Sequence, residues 1–86
     1  MDNFRVIYRI LREMERAMDC DSLDRRKVGP EALGISFNRW ACIVLLLNEN
    51  GYISGDRITL KGLEYLEENS LMRKAANLAK GIAEVL

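Results

Sequence analysis

"FNRWACIVLLLNENGYI", from Phe37 to Ile53, is the stretch that decides the fold. It predicts a helix over residues 36–50, because Ser36 can cap the start and Gly51 can end the helix in a left-handed conformation. An extended segment begins directly after the glycine. In a small helical domain, a helix that leads straight into a strand is the place of a DNA-reading helix and its wing. The segments on either side therefore decide the fold class.

Two helices are predicted upstream of this stretch. Residues 3–18 have apolar side chains at the i, i+3, i+4, i+7 spacing of an amphipathic helix. These apolar residues are Phe4, Ile7, Tyr8, Leu11, Met14 and Met18. A polar loop follows, with room for a short bridge strand around Ser22 to Asp24. The second helix is short, over residues 30–33, because Pro30 suits a first helical turn and Gly34 suits the exit.

A hairpin and two more helices are predicted downstream. The hairpin spans residues 52–58, since the sequence Ser54-Gly55-Asp56 favours a tight reversal. Thr59 can cap a helix over residues 60–69, and Ser70 can cap another over residues 71–85. The 86 residues thus predict a single domain, residues 1–86, in the order helix, helix, helix, hairpin, helix, helix. The fold class is α+β and mainly helical: a winged helix-turn-helix with a short β-hairpin wing and an extra C-terminal helix.

Five segments, which together span nearly the whole chain, have a recognisable wording: FRVIYRILREME, PEALGIS leading into NRW, NENGYI, ITLKGLEYLEENS and KAANLAKGI. They resemble the YjcQ-like family, which comprises small winged-helix proteins of low-GC Gram-positive bacteria and their phages. The resemblance implies a winged-helix fold, and it implies less about function. The chain departs from the family in its wing: only four residues separate Ile53 from Ile58, which argues against a wing that reaches into a DNA groove.

Composition limits the possible functions. The net charge is zero and the pI is near 6.3, so the overall positive charge of a strong sequence-independent nucleic-acid binder is missing. Any DNA binding must come from a local patch. No apolar run approaches the roughly 20 residues of a membrane span. Because the first residues also lack the pattern of a signal peptide, we expect a cytoplasmic protein.

The chain offers little for catalysis or metal binding. It contains no histidine, which removes histidine acid–base chemistry, histidine-activated nucleophiles and histidine-containing zinc sites. Cys20 and Cys42 are isolated, without a CxxC spacing, and we expect two free thiols rather than a disulfide. We therefore expect no enzyme activity, no catalytic residue, no metal, no cofactor and no small-molecule ligand.

Candidate DNA contacts lie in three places. The predicted core side of the 36–50 helix has Trp40, Val44 and Leu47, flanked by Phe37, Ala41 and Ile43; its outer side has Asn38, Arg39, Cys42, Leu45, Leu46 and Glu49. Only Asn38 and Arg39 suit contacts with bases or phosphates, which require polar or basic side chains. Arg25, Arg26 and Lys27 in the preceding loop and Arg57 at the wing complete the set. The alternative for the loop is a solvated segment whose charge Asp21 and Asp24 dilute.

A basic stripe runs along the first predicted helix. Arg5, Arg9, Arg12 and Arg16 are spaced by four, three and four residues, which returns them to one face. The stripe is either a row of phosphate contacts, a dock for an acidic partner, or a solvated face paired with Glu13 and Glu15.

The C-terminal segment has the strongest association signal. Two apolar rows repeat at heptad spacing, one on Leu71, Ala75, Leu78, Ile82 and Val85 and the other on Met72, Ala76, Ala79, Ala83 and Leu86. Dimerisation would use Leu71, Met72, Ala75, Leu78, Ala79 and Ile82. The alternative is that this face packs onto the first helix of its own chain.

These observations lead to one hypothesis and one alternative. The hypothesis is a homodimeric DNA-binding or transcription-associated accessory factor of phage or mobile-element type, with double-stranded DNA as its partner. The alternative is a non-catalytic protein-interaction or dimerisation module that does not bind nucleic acid.

Overall fold

The computed structural model describes residues 2–20 and 22–69. Its elements are α1 (Asn3–Arg16), α2 (Pro30–Leu33), α3 (Phe37–Glu49), β1 (Ile53–Ser54), β2 (Arg57–Ile58) and α4 (Leu60–Glu68), with two 3-10 turns at Ala17–Asp19 and Arg25–Lys27. This is a mainly helical α+β chain with a winged-helix-like layout, which confirms the predicted fold class. The predicted helix over residues 71–85 lies outside the described residues.

Polar side chains fix where three of the helices begin. Asp2, Ser36 and Thr59 each accept a hydrogen bond from the backbone N–H three residues further along, at 2.9, 3.2 and 3.1 Å. Each bond satisfies one of the amide donors that a helix start leaves without a partner. Gly34 ends α2 with a positive φ of 67°, a conformation that costs glycine little because it has no Cβ. These local signals place α2, α3 and α4 along the chain.

The wing is a minimal hairpin. Ile53 pairs with Ile58 and Ser54 pairs with Arg57 in an antiparallel ladder, so only Gly55 and Asp56 form the turn. The Gly55 amide donates to the Asn48 side-chain oxygen at 3.1 Å, which holds the turn against the last part of α3. The wing is therefore short, with its tip tied down.

One core joins the helices to the hairpin. It is formed by Val6, Ile10, Leu11, Met14, Val28, Leu33, Ile43, Leu47, Ile53 and Leu66. α1 runs through the middle of this core and contacts α3, α4 and β2. Burial of these apolar side chains supplies the main stabilisation of a domain of this size. The packing leaves the second 3-10 turn and the tip of the wing at the surface.

The predicted face of α1 is confirmed at Leu11 and Met14 and is wrong at its two ends. Phe4 and Met18 were expected in the apolar stripe, yet they are 65% and 63% exposed, whereas Val6 and Ile10 are fully buried. The helix also ends at Arg16 and continues as a 3-10 turn, instead of running to residue 18. Apolar side chains occupy neighbouring stripes of α1, so periodicity alone does not select between them. Packing against α3 and α4 selects the stripe that contains Val6 and Ile10.

The predicted core side of α3 is confirmed at Ile43 and Leu47 and is wrong at Phe37. Ile43 and Leu47 are its buried residues, while Phe37, expected beside the core, is 66% exposed. Trp40, expected to be largely buried, is only partly buried. Its indole N–H donates to the Val28 carbonyl at 2.7 Å. A tryptophan that satisfies its N–H at the edge of a core keeps part of its ring at the surface.

The loop between α1 and α2 contains no strand among its described residues. The bridge strand expected around Ser22 to Asp24 is absent there, and Asp24 instead caps the second 3-10 turn. Its carboxylate accepts from the Arg26 amide at 3.1 Å. Aspartate bonds readily to the backbone two residues on, which favours a turn over an extended ladder.

Candidate nucleic-acid interface

The 3-10 turn Arg25–Lys27, called the basic turn from here on, presents three consecutive cations at the surface. Asp24 holds it through its bond to the Arg26 amide and through a second bond from the Arg26 guanidinium at 3.2 Å. The Arg26 side chain and amide together lower the pKa of Asp24 below its ordinary value. The Asp24 carboxylate therefore remains charged beside Arg26 at neutral pH.

A second ion pair joins the basic turn to the wing. The Arg25 guanidinium donates to the Asp56 carboxylate at 2.6 Å, although 31 residues separate them along the chain. Asp56 is in the turn of the hairpin and Arg57 follows it in β2. The pair shows that Arg25, Arg26, Lys27 and Arg57 lie at one end of the molecule.

The charges at this end do not cancel among the described residues. The basic turn and the wing contribute four cations, and Asp24 and Asp56 contribute two carboxylates. Arg57 and Lys27 are both exposed, and neither forms an ion pair with a described residue. The result is a local excess of two positive charges on a chain whose net charge is zero.

The first turn of α3 adjoins this end but orients its arginine elsewhere. Trp40 connects that turn to Val28, the residue directly after the basic turn. Arg39, in contrast, donates from Nε and Nη2 to the Asn3 side-chain oxygen at 2.8 and 2.6 Å. These bonds hold Arg39 against the start of α1. Asn38 is exposed at the start of α3.

The outer face of α3 is apolar along most of its length. Leu45 and Leu46 are 57% and 54% exposed, and Cys42 and Glu49 are exposed beside them. Base readout in a major groove relies on polar side chains aimed at base edges. Beyond its first turn, this face offers apolar contact area and an acidic residue instead. The outer face of α3 is therefore better suited to contact with another protein than to contact with base edges.

Three of the four arginines in the α1 stripe form ion pairs with acidic residues three positions away in the sequence. Arg5 pairs with Asp2 at 3.4 Å, Arg12 with Glu15 at 2.5 Å and Arg16 with Glu13 at 2.9 Å. Arg9 is exposed and has no such pair among the described residues. Of the alternatives for this stripe, the pattern favours the solvated face paired with Glu13 and Glu15.

Sequence reasoning missed two residues that organise this end of the molecule. The sequence indicates only a turn for Asp56 and no role for Asn48, yet both form bonds that position the wing. Both act on residues that are brought close by folding, so no local spacing indicates them. The predicted dimer contacts Leu71, Met72, Ala75, Leu78, Ala79 and Ile82 lie outside the described residues.

Two classes of site have no support in the part of the chain that the structure describes. No cluster of three or more cysteine, aspartate or glutamate side chains there has the arrangement of a metal site. None of the helices described is long and apolar enough to cross a membrane. Both thiols, Cys20 and Cys42, are free and exposed.

Comparison with known proteins identifies a family. Neither curated proteins nor solved structures give a match. The family model described as YjcQ protein matches residues 8–58 and 54–85, a span that includes the basic turn, α3, the wing and α4. The two matched ranges together cover nearly the whole sequence, as the resemblance of the five segments had indicated. The chain belongs to the YjcQ family.

Proposed function

We propose that this protein is a non-catalytic, DNA-binding or transcription-associated accessory factor, of phage or mobile-element type, that acts in the cytoplasm. One observation carries the proposal: the basic turn and the wing meet at the Arg25–Asp56 pair, and the described residues of this surface have two excess positive charges. In a winged-helix layout, this end, together with the start of α3, faces the duplex. The contact is with phosphates, because phosphate binding requires cations and little else.

The ion pairs of this surface do not prevent phosphate binding. The Arg25 and Arg26 side chains are 78% and 92% exposed in their pairs. Exposed pairs of this kind contribute between zero and about 1 kcal/mol, so a phosphate can replace the carboxylate at small cost. Lys27 and Arg57 need no such exchange. Binding that rests on a few phosphate contacts is expected to be weak, sequence-tolerant and strongly salt-dependent.

The experiment compares two double variants with equal charge change. Anisotropy of a fluorescent random-sequence duplex is measured across a salt series for the unmodified protein, for Lys27→Ala with Arg57→Ala, and for Arg5→Ala with Arg9→Ala. The slope of log affinity against log salt is expected to flatten by roughly 0.9 for each phosphate that the first variant no longer neutralises. It should stay unchanged in the second, since the α1 stripe lies outside the proposed surface. Equal effects in both variants would contradict the placement of the interface.

A second candidate function is a protein-interaction module without nucleic-acid binding. It is favoured by the exposed Leu45 and Leu46 on the helix that would read DNA, and by the engagement of Arg39 with Asn3. Adjacent exposed leucines are typical of a face that a partner covers. Absence of any anisotropy change at low salt would select this candidate over DNA binding.

Self-association is part of both candidates. The two heptad rows over residues 71–86 include Leu78 and Ile82 near their centre. We infer a homodimer formed through these rows, because a wide apolar face with small alanines allows two copies to approach closely. A two-fold dimer would also present two basic surfaces to one duplex.

A further inference from the structure

A groove of about 530 Å³ lies between the end of α1 and the wing. Its apolar lining comes from three separate segments: the end of α1 with the following 3-10 turn, the loop before the basic turn, and β2. The apolar residues are Met14, Met18, Leu23 and Ile58. Pockets that bind small molecules have volumes of roughly 300–1,000 Å³, and the volume of this groove falls in that range. Its wall is mixed, because Ser22, Asp56 and Arg57 line it beside the apolar side chains, so it suits a ligand with one charged and one apolar end.

The charged groups at the groove differ in what they already bind. Asp56 and Arg57 both line it. The Asp56 carboxylate is paired with Arg25 at 2.6 Å, whereas Arg57 has no ion pair with a described residue. An anion that enters the groove would therefore meet an arginine available for bidentate bonding and an acid whose charge is already compensated. The charges of the described residues therefore favour a negative group beside Arg57.

The apolar wall fits a flexible hydrocarbon. Two of its side chains, Met14 and Met18, are methionines, whose unbranched thioethers adapt to irregular ligand shapes. Met18 is 63% exposed, so its side chain is available to cover a bound chain. Binding of a hydrocarbon chain here would remove apolar surface of both the ligand and the groove from water, which favours binding.

We propose that this groove binds a small aliphatic monocarboxylate, with the carboxylate on Arg57 and the hydrocarbon against Met14, Met18, Leu23 and Ile58. This ligand class revises the expectation of no small-molecule ligand. The sequence could not indicate it, because residues from 14 to 58 meet only after folding. The proposal does not depend on DNA binding, and its test contains no DNA.

The two cysteines of the chain allow ligand binding in the groove to be tested by thiol labelling, with one as the reporter and the other as the control. Cys20 lines the groove, while Cys42 lies on α3 beside the exposed Leu45 and does not line it. Both thiols are free and exposed, so both react with a maleimide. Labelling rates of the two cysteines, resolved by peptide mass spectrometry, are measured with increasing decanoate below its micelle concentration. Decanoate should slow the labelling of Cys20 several-fold and leave Cys42 unchanged.

Affinity is measured in parallel by titration calorimetry with hexanoate, octanoate, decanoate and decanol. Each added methylene should lower Kd about three- to fourfold, since a buried methylene is worth about 0.8 kcal/mol. Decanol should bind at least tenfold more weakly than decanoate. Arg57→Gln should remove this preference for the acid, and Arg26→Gln, an exposed arginine outside the groove, should leave it intact.

Three results would overturn the proposal. Equal protection of Cys20 and Cys42 would mean that the hydrocarbon coats exposed leucines instead of filling the groove. Equal affinity for decanol and decanoate, or an unchanged preference in Arg57→Gln, would remove the role of Arg57. No protection of Cys20 and no calorimetric signal with decanoate would mean that the groove does not bind this class of ligand.

Discussion

The Arg25 guanidinium lies 2.6 Å from the Asp56 carboxylate, and this contact connects the basic turn to the tip of the wing. The two residues are 31 positions apart, and both side chains are largely exposed. The pair therefore contributes little to stability. Its short distance shows that the packing of the chain places the basic turn beside the tip of the wing. The Asp56 carboxylate also neutralises one positive charge on a surface that must be positive for the proposed DNA binding.

The first prediction follows from this pair. Asp56→Asn should raise the affinity for random duplex DNA at low salt, because it removes one of the two carboxylates from the basic surface. The free energy of unfolding should change by less than about 1 kcal/mol, as expected for an exposed ion pair. Anisotropy titration and urea denaturation measure the two quantities. Glu67→Gln on α4 is the control with the same charge change, and an equal gain in affinity there would mean that only net charge matters.

The second prediction concerns Gly62, in the first turns of α4. A Cβ at this position would lie 2.3 Å from the Tyr52 carbonyl oxygen and 2.6 Å from Ile58 Cγ1. Gly62→Ala should therefore destabilise the protein by about 1–3 kcal/mol or more, even though alanine favours helices by about 1 kcal/mol. Urea denaturation followed by circular dichroism measures the loss.

Gly29→Ala provides the matched control for Gly62. Among the described residues, its Cβ would meet only the Arg25 carbonyl oxygen at 3.5 Å, an ordinary contact distance. The Gly29 φ of −81° is also allowed for alanine. This variant should stay within about 0.5 kcal/mol of the unmodified protein or be slightly stabilised. If both variants lost stability equally, the close approach of α4 to the hairpin would be disproved.

The third prediction concerns the hydrogen bond between Trp40 and Val28. Trp40→Phe keeps an aromatic ring but leaves the Val28 carbonyl without its 2.7 Å donor, at an expected cost of about 1–3 kcal/mol. Trp40→Ala should cost more, toward about 3 kcal/mol, because it also removes the packing of the ring. Both values come from denaturation curves followed by far-ultraviolet circular dichroism. Equal stability of the phenylalanine variant and the unmodified protein would show that this bond contributes nothing.

Local signals in the sequence predicted where the elements begin and end better than which way they face. Pro30 and Gly34 delimit α2, and Ser36 and Thr59 cap α3 and α4, because capping depends on residues at most three or four positions away. The facing of α1 was correct at Leu11 and Met14 but wrong at Phe4, because the exposed Phe4 is as apolar as the buried side chains. Only the helices that pack against α1 decide between its stripes.

The candidate interface, too, was predictable only in its local features. The basic turn is visible as three consecutive cations in the sequence, and its exposure was expected. Its proximity to the wing was not predictable, since Asp56 and Arg25 meet only in three dimensions. The engagement of Arg39 by Asn3 was missed for the same reason, across 36 residues. Pair contacts between distant segments leave no periodic trace in a single sequence.

The fourth prediction concerns the titration of Asp24. The Arg26 side chain lowers the pKa of this carboxyl in the folded protein, followed by the Arg26 amide. A lowered folded pKa stabilises the protein above the unfolded pKa, and this contribution is lost as pH falls through the folded value. The basic turn should therefore keep its cap down to a pH below 3.8, the ordinary value for aspartate.

NMR titration of the carboxyl carbons tests whether the Arg26 side chain lowers the pKa of Asp24 more than the Arg26 amide does. Arg26→Ala should move the pKa of Asp24 upward, toward 3.8, while the remaining bond to the amide keeps it somewhat below. Asp2 is the internal control, because the Arg5 amide is the main cause of its lowered pKa. A shift of both residues would point to a general charge effect. An unmoved Asp24 would contradict the role of the Arg26 side chain.

The fifth prediction concerns assembly. If the two heptad rows over residues 71–86 form a dimer, Ile82→Glu should give a folded monomer, because the contact would have to bury an unpaired carboxylate. Sedimentation equilibrium at tens of micromolar measures the mass, and circular dichroism confirms that the variant is folded. Lys80→Glu is the control, since it also introduces an acid in this segment but lies outside both rows. The unmodified protein at monomer mass would mean that the apolar rows are satisfied within one chain, and Ile82→Glu should then unfold the domain instead of separating two copies.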